Sequence, residues 1–281
     1  MKNLLTYLKE RFPLPVTGVH SVITAMFLVA LAAPSAKNIN DILTTLAIAL
    51  SFLFFMLRMR VTDEFKDASH DSANYPDRPV QRGLITKSTL VNIGVISLII
   101  ELSSVSAAAG LQQSPDSPIF YGLIFAYSVL TGFEFFIPKF LDKHFNLYFI
   151  LHQGIFVLYP VWVFNIFGTQ IDLVVLLGSA IFVLYMAAME IMRKYELRYN
   201  PAGEVVLDTY LAVWKSAAFW LMYLISVVSP IVLFTYFNSA WLLGVASFTG
   251  ISLLVIRKKN DLVRVGVAMS FIATGIVIYL A

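Results

Sequence analysis

The chain has 281 residues, 59% hydrophobic and 13% charged, with a net charge of +3 and a mean hydropathy of +0.79. A soluble globular domain carries about a quarter charged residues, so that class is excluded and the chain reads as a membrane protein. The small positive balance reports membrane topology rather than nucleic-acid binding, and the lack of cysteine excludes disulfides, thiolate metal sites and a cysteine nucleophile.

A hydrocarbon core of about 30 Å calls for roughly 20 apolar residues per spanning helix. Runs of that length cover Pro15 to Ala33, Ile39 to Leu57, Ser88 to Ala109, Ile119 to Ile137, Leu147 to Phe167, Ile171 to Met192, Ala217 to Phe237, Ala240 to Ile256 and Val263 to Ala281. The expected architecture is all-α: a polytopic membrane protein with nine transmembrane helices in one bundle, residues 1–281 forming a single domain. The first run, with its basic flank and the small residues Ala30 and Ala32, has a competing reading as a cleaved signal peptide. Its removal would leave eight helices and an altered inside-outside pattern.

Basic residues orient the chain, because cytoplasmic connections hold the excess of Lys and Arg. With the N-terminus cytoplasmic, Lys37 is the one basic residue that falls outside; the loops after the second, fourth, sixth and eighth runs, with the N-terminal segment, take all the others. The expected location is the cell (cytoplasmic) membrane, multi-pass. Outer connections are short, whereas inner loops at 58–87 and 193–216 are long, so function is expected there. Each opens with charge at a helix end before reaching Pro or Gly, a spacing that suggests a duplicated helical unit without a residue-level repeat.

The first long loop carries Asp63-Glu64-Phe65-Lys66-Asp67-Ala68-Ser69-His70-Asp71, then Asp77-Arg78-Pro79 and Gly83. Asp63, Asp67 and Asp71 are four apart, so a helix would bring all three carboxylates to one side. Stacked like charges repel, and a divalent metal between them is the simplest resolution. The competing reading is a solvated helix that keeps the cytoplasmic face wet, and for Arg78 and Arg82 it is positive-inside topology.

This run resembles the first signature of the UbiA superfamily of intramembrane prenyltransferases, Asn-Asp-x-x-Asp-x-x-x-Asp followed by Arg-Pro and a Gly. Asp63 stands for the Asn and Glu64 for the first Asp. Pro138-Lys139 is similar to the family's Pro-x-x-Lys/Arg element, and the nine-helix count agrees. The resemblance implies Mg²⁺-dependent transfer of a polyprenyl group from polyprenyl diphosphate to an aromatic or lipid-soluble acceptor within the membrane. It implies Mg²⁺ at Asp63, Glu64, Asp67, Asp71 and Glu190, catalytic roles for Asp63, Asp67 and Lys139, and diphosphate contacts from Arg78, Arg82, Arg193, Lys194 and Arg198. Such an ion, commonly held by one or two carboxylates together with substrate phosphates, draws charge from a departing diphosphate as the allylic carbon-oxygen bond breaks. The implied partners are polyprenyl diphosphate, a hydrophobic or aromatic acceptor and membrane lipids, with no nucleic acid.

The family's second signature, Asp-x-x-x-Asp, falls on Glu190-Ile191-Met192-Arg193-Lys194, where Lys194 replaces the second acid. Two readings stay open. Arg193, Lys194 and Arg198 contact the diphosphate while Glu190, Glu196 or Asp208 makes a weaker metal contact; or Glu190 and Lys194 form an ordinary four-apart ion pair in a catalytically divergent isoprenoid-binding or lipid-handling protein. Within the spans lie His20, Glu101, Glu134 and His152, and because burying ionisable groups in hydrocarbon is costly all but His20 are taken as functional candidates. Glu134 lies near the inner face, Glu101 reads as protonated or hydrogen-bonded, and His152 with Gln153 either orients an acceptor hydroxyl or is satisfied between helices. A secondary transporter lacks its pair of Gly/Pro-broken helices here. The Asp-Gly and Ala-Arg signature of phosphoalcohol transferases is absent around Asp63.

Overall fold

The computed structural model describes residues 2–35 and 37–281. Its helices are α1 (Lys2–Arg11), α2 (Leu14–Ala32), α3 (Ile39–Lys66), α4 (Ala68–Asn74), α5 (Lys87–Leu111), α6 (Ser117–Gly132), α7 (Pro138–Leu141), α8 (Phe145–Gln153), α9 (Ile155–Phe167), α10 (Leu173–Arg193), α11 (Tyr210–Trp214), α12 (Ser216–Phe237), α13 (Ala240–Ile256) and α14 (Asn260–Leu280). No named strand occurs among the described residues; Tyr199 and Val205 form an isolated antiparallel bridge. The all-α expectation holds.

Among the described residues seven segments are long and apolar enough to cross a membrane: α2, α3, α5, the α8–α9 stretch, α10, α12 and α14. The remaining two apolar helices, α6 and α13, are shorter. Large apolar side chains such as Leu43, Leu46 and Leu50 on α3, or Trp241, Phe248 and Val255 on α13, stand exposed. A water-soluble surface would hide contiguous patches of this kind, whereas hydrocarbon solvates them.

Contacts divide the chain into two compact units, residues 1–25 with 36–169 and residues 26–35 with 170–281, so α2 contributes to both. In the first unit α3 packs along α5 and α6 packs against α9. Small residues permit close approach: a Cβ on Gly132 would come within 3.0 Å of Thr62, and one on Gly94 within 3.3 Å of Val61. Phe52, Phe55, Tyr121, Tyr159 and Trp162 fill this unit with ring-to-ring contacts. In the second unit α10, α12, α13 and α14 pack on one another around Phe27, Phe182, Tyr185 and Phe271.

Three segments depart from the apolar runs. The second run stops at Leu57, but α3, 28 residues long, continues to Lys66, because Arg58 finds buried partners instead of marking the start of a loop. The 147–167 run divides at Gly154, over which the Tyr127 ring lies while its hydroxyl donates to the Leu151 carbonyl at 2.8 Å. The 119–137 run ends early, at Gly132, and is followed by Glu134, Phe135 and Phe136 with φ of 48°, 54° and 60°. Three successive left-handed residues that are not glycine cost roughly 1–2 kcal/mol each, and the turn delivers Glu134 to a cation described below.

Candidate functional site

The apolar side of α1 positions the first charged cluster. Tyr7, Leu4 and Leu8 pack on Val61 of α3 and on Val80, Ile85, Leu90 and Ile93. Burial pushes the Tyr7 hydroxyl well up from its ordinary pKa. Docked in this way, α1 ends with Arg11 at the acid run. Arg11 Nε donates to Glu64 Oε1 at 2.8 Å, and Arg60, one turn earlier on α3, donates to the same oxygen from Nε at 3.1 Å and from its terminal nitrogen at 2.8 Å. The Glu64 side chain is fully buried, and two guanidinium groups meet at its Oε1.

Asp71 is held in the same way. Arg78 and His70 approach Oδ1 and Arg11 reaches Oδ2 at 3.5 Å, while Arg78 stacks on the Tyr75 ring at 3.8 Å. Burial by itself would raise the Asp71 carboxyl; hydrogen bonds from His70 and Arg78, with the charges of Arg78 and Arg60, outweigh it and hold the group below the ordinary carboxylate range. Arg82 instead bonds the Asp77 carbonyl at 3.0 Å and Glu10 of α1 at 2.8 Å, near the surface.

The helix changes course at Asp67, which caps α3 and starts α4. Asp63 and Asp67 lie on the more open side, their side chains 32% and 44% exposed against 4% for Asp71. Lys66 Nζ stands 3.5 Å from Asp63, 3.9 Å from Asp67 and 3.7 Å from Glu134 Oε1, and donates to the Tyr148 hydroxyl at 3.3 Å. The Tyr148 ring also takes the ammonium at 5.6 Å and stacks on His152. Burial raises the Glu134 carboxyl, which the Lys66 charge opposes and the nearby Asp142 and Asp67 reinforce. Lys139, in the last turn of α7, is exposed.

Among the described residues no three acidic or histidine side chains converge as a metal cage. The donor set that fits a magnesium ion is the pair Asp63 and Asp67, hard oxygens on the accessible side, because this ion commonly takes one or two carboxylates and completes its shell with water and phosphate. Glu64 and Asp71 are neutralised by arginines.

The second charged segment builds its own pairs. Arg193 binds Glu190 through two nitrogens at 2.8 Å each, Tyr210 donates to the same carboxylate at 3.3 Å, and Lys194 stands at 4.0 Å. Of the two sequence readings, the four-apart pair is present but secondary to the three-apart one. Arg198 donates to Glu196 at 2.6 Å and lies 3.7 Å from Asp208, while Arg264 of α14 reaches Glu196 at 3.2 Å. An Asn200 side chain that accepts from the Ala202 and Glu204 amides, with Gly203 at φ +80°, closes the small hairpin between them.

Sequence reading did not single out Arg11, Arg60, Lys66 or Tyr148. Lys66 was visible between two acids at i−3 and i+1. Arg11 carried no local signal, since its partner Glu64 is 53 residues away. Within the span region, Glu101 is hydrogen-bonded as the sequence suggests: Arg58 grips both oxygens at 2.7 and 2.9 Å and Tyr121 donates at 2.8 Å.

Against solved structures the chain is similar, over 98% of its length and 99% of theirs, to a UbiA homolog from Archaeoglobus fulgidus bound to DMAPP and Mg²⁺, with a TM-score of 0.52 and 15% identity. The same homolog bound to GPP and Mg²⁺ gives 0.52 and 14%, and a digeranylgeranylglyceryl phosphate synthase gives 0.51 and 16%. No family sequence profile matches the chain, and no curated protein sequence does. At these identities the likeness establishes the fold alone, shared along almost the whole of each chain.

Proposed function

We propose that this chain is a UbiA-type prenyltransferase, which moves a prenyl group from its diphosphate to a lipid-soluble or aromatic acceptor in the membrane. The observation that carries the reading is the division of labour in the acid run. Arginines bury and fix Glu64 and Asp71, whereas Asp63 and Asp67 stay on the accessible side with Lys66 between them, Arg60 standing 4.0 Å from Asp63. The end-to-end likeness in fold to structures bound to Mg²⁺ with DMAPP or GPP supports the same kind of activity.

Asp63 and Asp67 would hold the magnesium ion, which when bound supplies positive charge to a leaving diphosphate. Each remaining role belongs to the chain. The Arg11, Arg60 and Arg78 clamp keeps the end of α3 and the start of α4 in one geometry, so the two carboxylates are positioned before substrate arrives. Lys66 and the exposed Lys139 offer ammonium hydrogens to phosphate oxygens. The prenyl chain, being hydrocarbon, needs only an apolar surface, which the helices of the first unit supply. The proposed setting is the cell membrane, multi-pass, with all nine apolar helices crossing, the N-terminus cytoplasmic and the acid run on that face.

Purified protein in detergent, given a polyprenyl diphosphate, Mg²⁺ and a panel of aromatic and isoprenoid acceptors, should release diphosphate and form a prenylated product. Asp67→Asn should lower both by about 10²- to 10³-fold. Turnover unchanged in that variant would sink the assignment. The second reading, an isoprenoid-binding protein without catalysis, is favoured by the second segment, where Glu190 and Glu196 are each tied to arginine. It gains if prenyl diphosphate binds while no acceptor is modified.

A further inference from the structure

We propose that Lys66 is the resident cation of the acid site, and that its ammonium makes divalent-cation binding conditional on a diphosphate. The inference rests on reading Asp63 and Asp67 as the cation-holding pair. Lys66 Nζ stands within 3.3 to 3.9 Å of four oxygens, from Asp63, Asp67, Glu134 and Tyr148. Its side chain is only 12% exposed. It is also the last residue of α3, where the negative end of the helix dipole favours a positive charge. The chain thus carries, covalently attached, a cation where the acids would otherwise repel one another.

A bare divalent ion approaching Asp63 and Asp67 meets this ammonium at close range, and the repulsion scales with the product of the charges. A diphosphate reverses the sign. Its oxygens accept hydrogen bonds from Nζ while completing the metal's shell, so the group that opposed the ion alone now binds the ion-diphosphate pair. Lys66 therefore acts as a positioning group for the diphosphate and discriminates against free metal. The left-handed turn at Glu134 supports this role: backbone cost is accepted there at the position that supplies the ammonium's third carboxylate.

The test compares wild type, Lys66→Gln and Lys66→Arg in detergent. Mn²⁺ is titrated without diphosphate and read by electron paramagnetic resonance; then retention of labelled inorganic diphosphate is measured at fixed Mg²⁺. Lys66→Gln should bind Mn²⁺ about tenfold more tightly than wild type, and Lys66→Arg should stay near wild type, because charge rather than shape opposes the ion. Diphosphate retention should fall about tenfold in Lys66→Gln, since a charge-assisted contact is lost. Unchanged or weaker Mn²⁺ affinity in Lys66→Gln, or diphosphate retained equally by both proteins, overturns the role of Lys66 and leaves the site standing. Failure of every protein to retain diphosphate with Mg²⁺ overturns the underlying site as well. If Lys66→Gln does not fold, Lys66→Met, which also removes the charge and keeps an unbranched side chain, carries the same expectation.

Discussion

The acid run at 63–71 and the charged segment at 190–198 draw on the same residue types and arrange them differently. Around Glu190 the principal arginine lies three residues away on the same helix, a contact that any surface helix makes without help from the rest of the fold. Around Glu64 one guanidinium comes from α1, delivered by a packed apolar face, and the carboxylate is out of reach of water. Burying a charge in this way is costly unless its partners are held in place, so the first cluster is a construction and the second is closer to self-neutralisation. A site that needs two carboxylates oriented in advance is better served by the first.

The sharpest way to break that contrast is to remove one acid from each segment. Asp67→Asn should lower turnover by about 10²- to 10³-fold, the scale of losing a principal electrostatic contact in a reacting site, whereas Glu190→Gln should cost less than about tenfold. Steady-state diphosphate release measures both, and equal losses would erase the distinction.

Next in size is the clamp. Arg11→Ala leaves Glu64 with Arg60 alone and takes a partner from Asp71, so thermal or chemical denaturation in detergent should show a loss of about 2–3 kcal/mol, somewhat below the roughly 3–5 kcal/mol of a buried pair broken outright. Acid should act on the same cluster. Asp71 titrates below the ordinary carboxylate range in the folded protein. Its contribution is therefore complete above the unfolded value of about 3.9 and is lost as pH falls through the folded value. Melting temperatures between pH 3 and 6 should show Asp71→Asn less stable at the upper end and the gap closing toward the lower. The smallest effect belongs to the second segment: Glu196→Gln, a partly exposed partner of Arg198 and Arg264, should change stability by less than about 1 kcal/mol.

Much of the fold was legible in the sequence because hydrocarbon imposes its length on a helix; the starts of α3 and α13 and the ends of α5, α9 and α12 fall within a few residues of the apolar runs. What escaped depended on contacts distant in sequence or on backbone conformation. Arg58 reads as the first loop residue by charge alone, and only Glu101 and Ser128, on two other helices, explain its place inside. The left-handed turn after Gly132 has no glycine to announce it. At the site, the acid spacing was plain, but the arginines that separate buried acids from open ones were not: Arg60 counted merely as a topological charge, and Arg11 needed α1 to be docked before it could be seen.

The length of α3 bears on where the proposed transfer would take place. Its 28 residues extend for about 42 Å at 1.5 Å per residue, beyond the roughly 30 Å of a hydrocarbon slab, and the acid run crowns the far end. Such a mast meets a thicker bilayer by standing straighter and a thinner one by leaning, which changes how high its tip rides among the headgroups. A diphosphate anchored by its own tail keeps to a fixed depth, so reconstitution into lipids of graded chain length turns bilayer thickness into a dial on the encounter between the two.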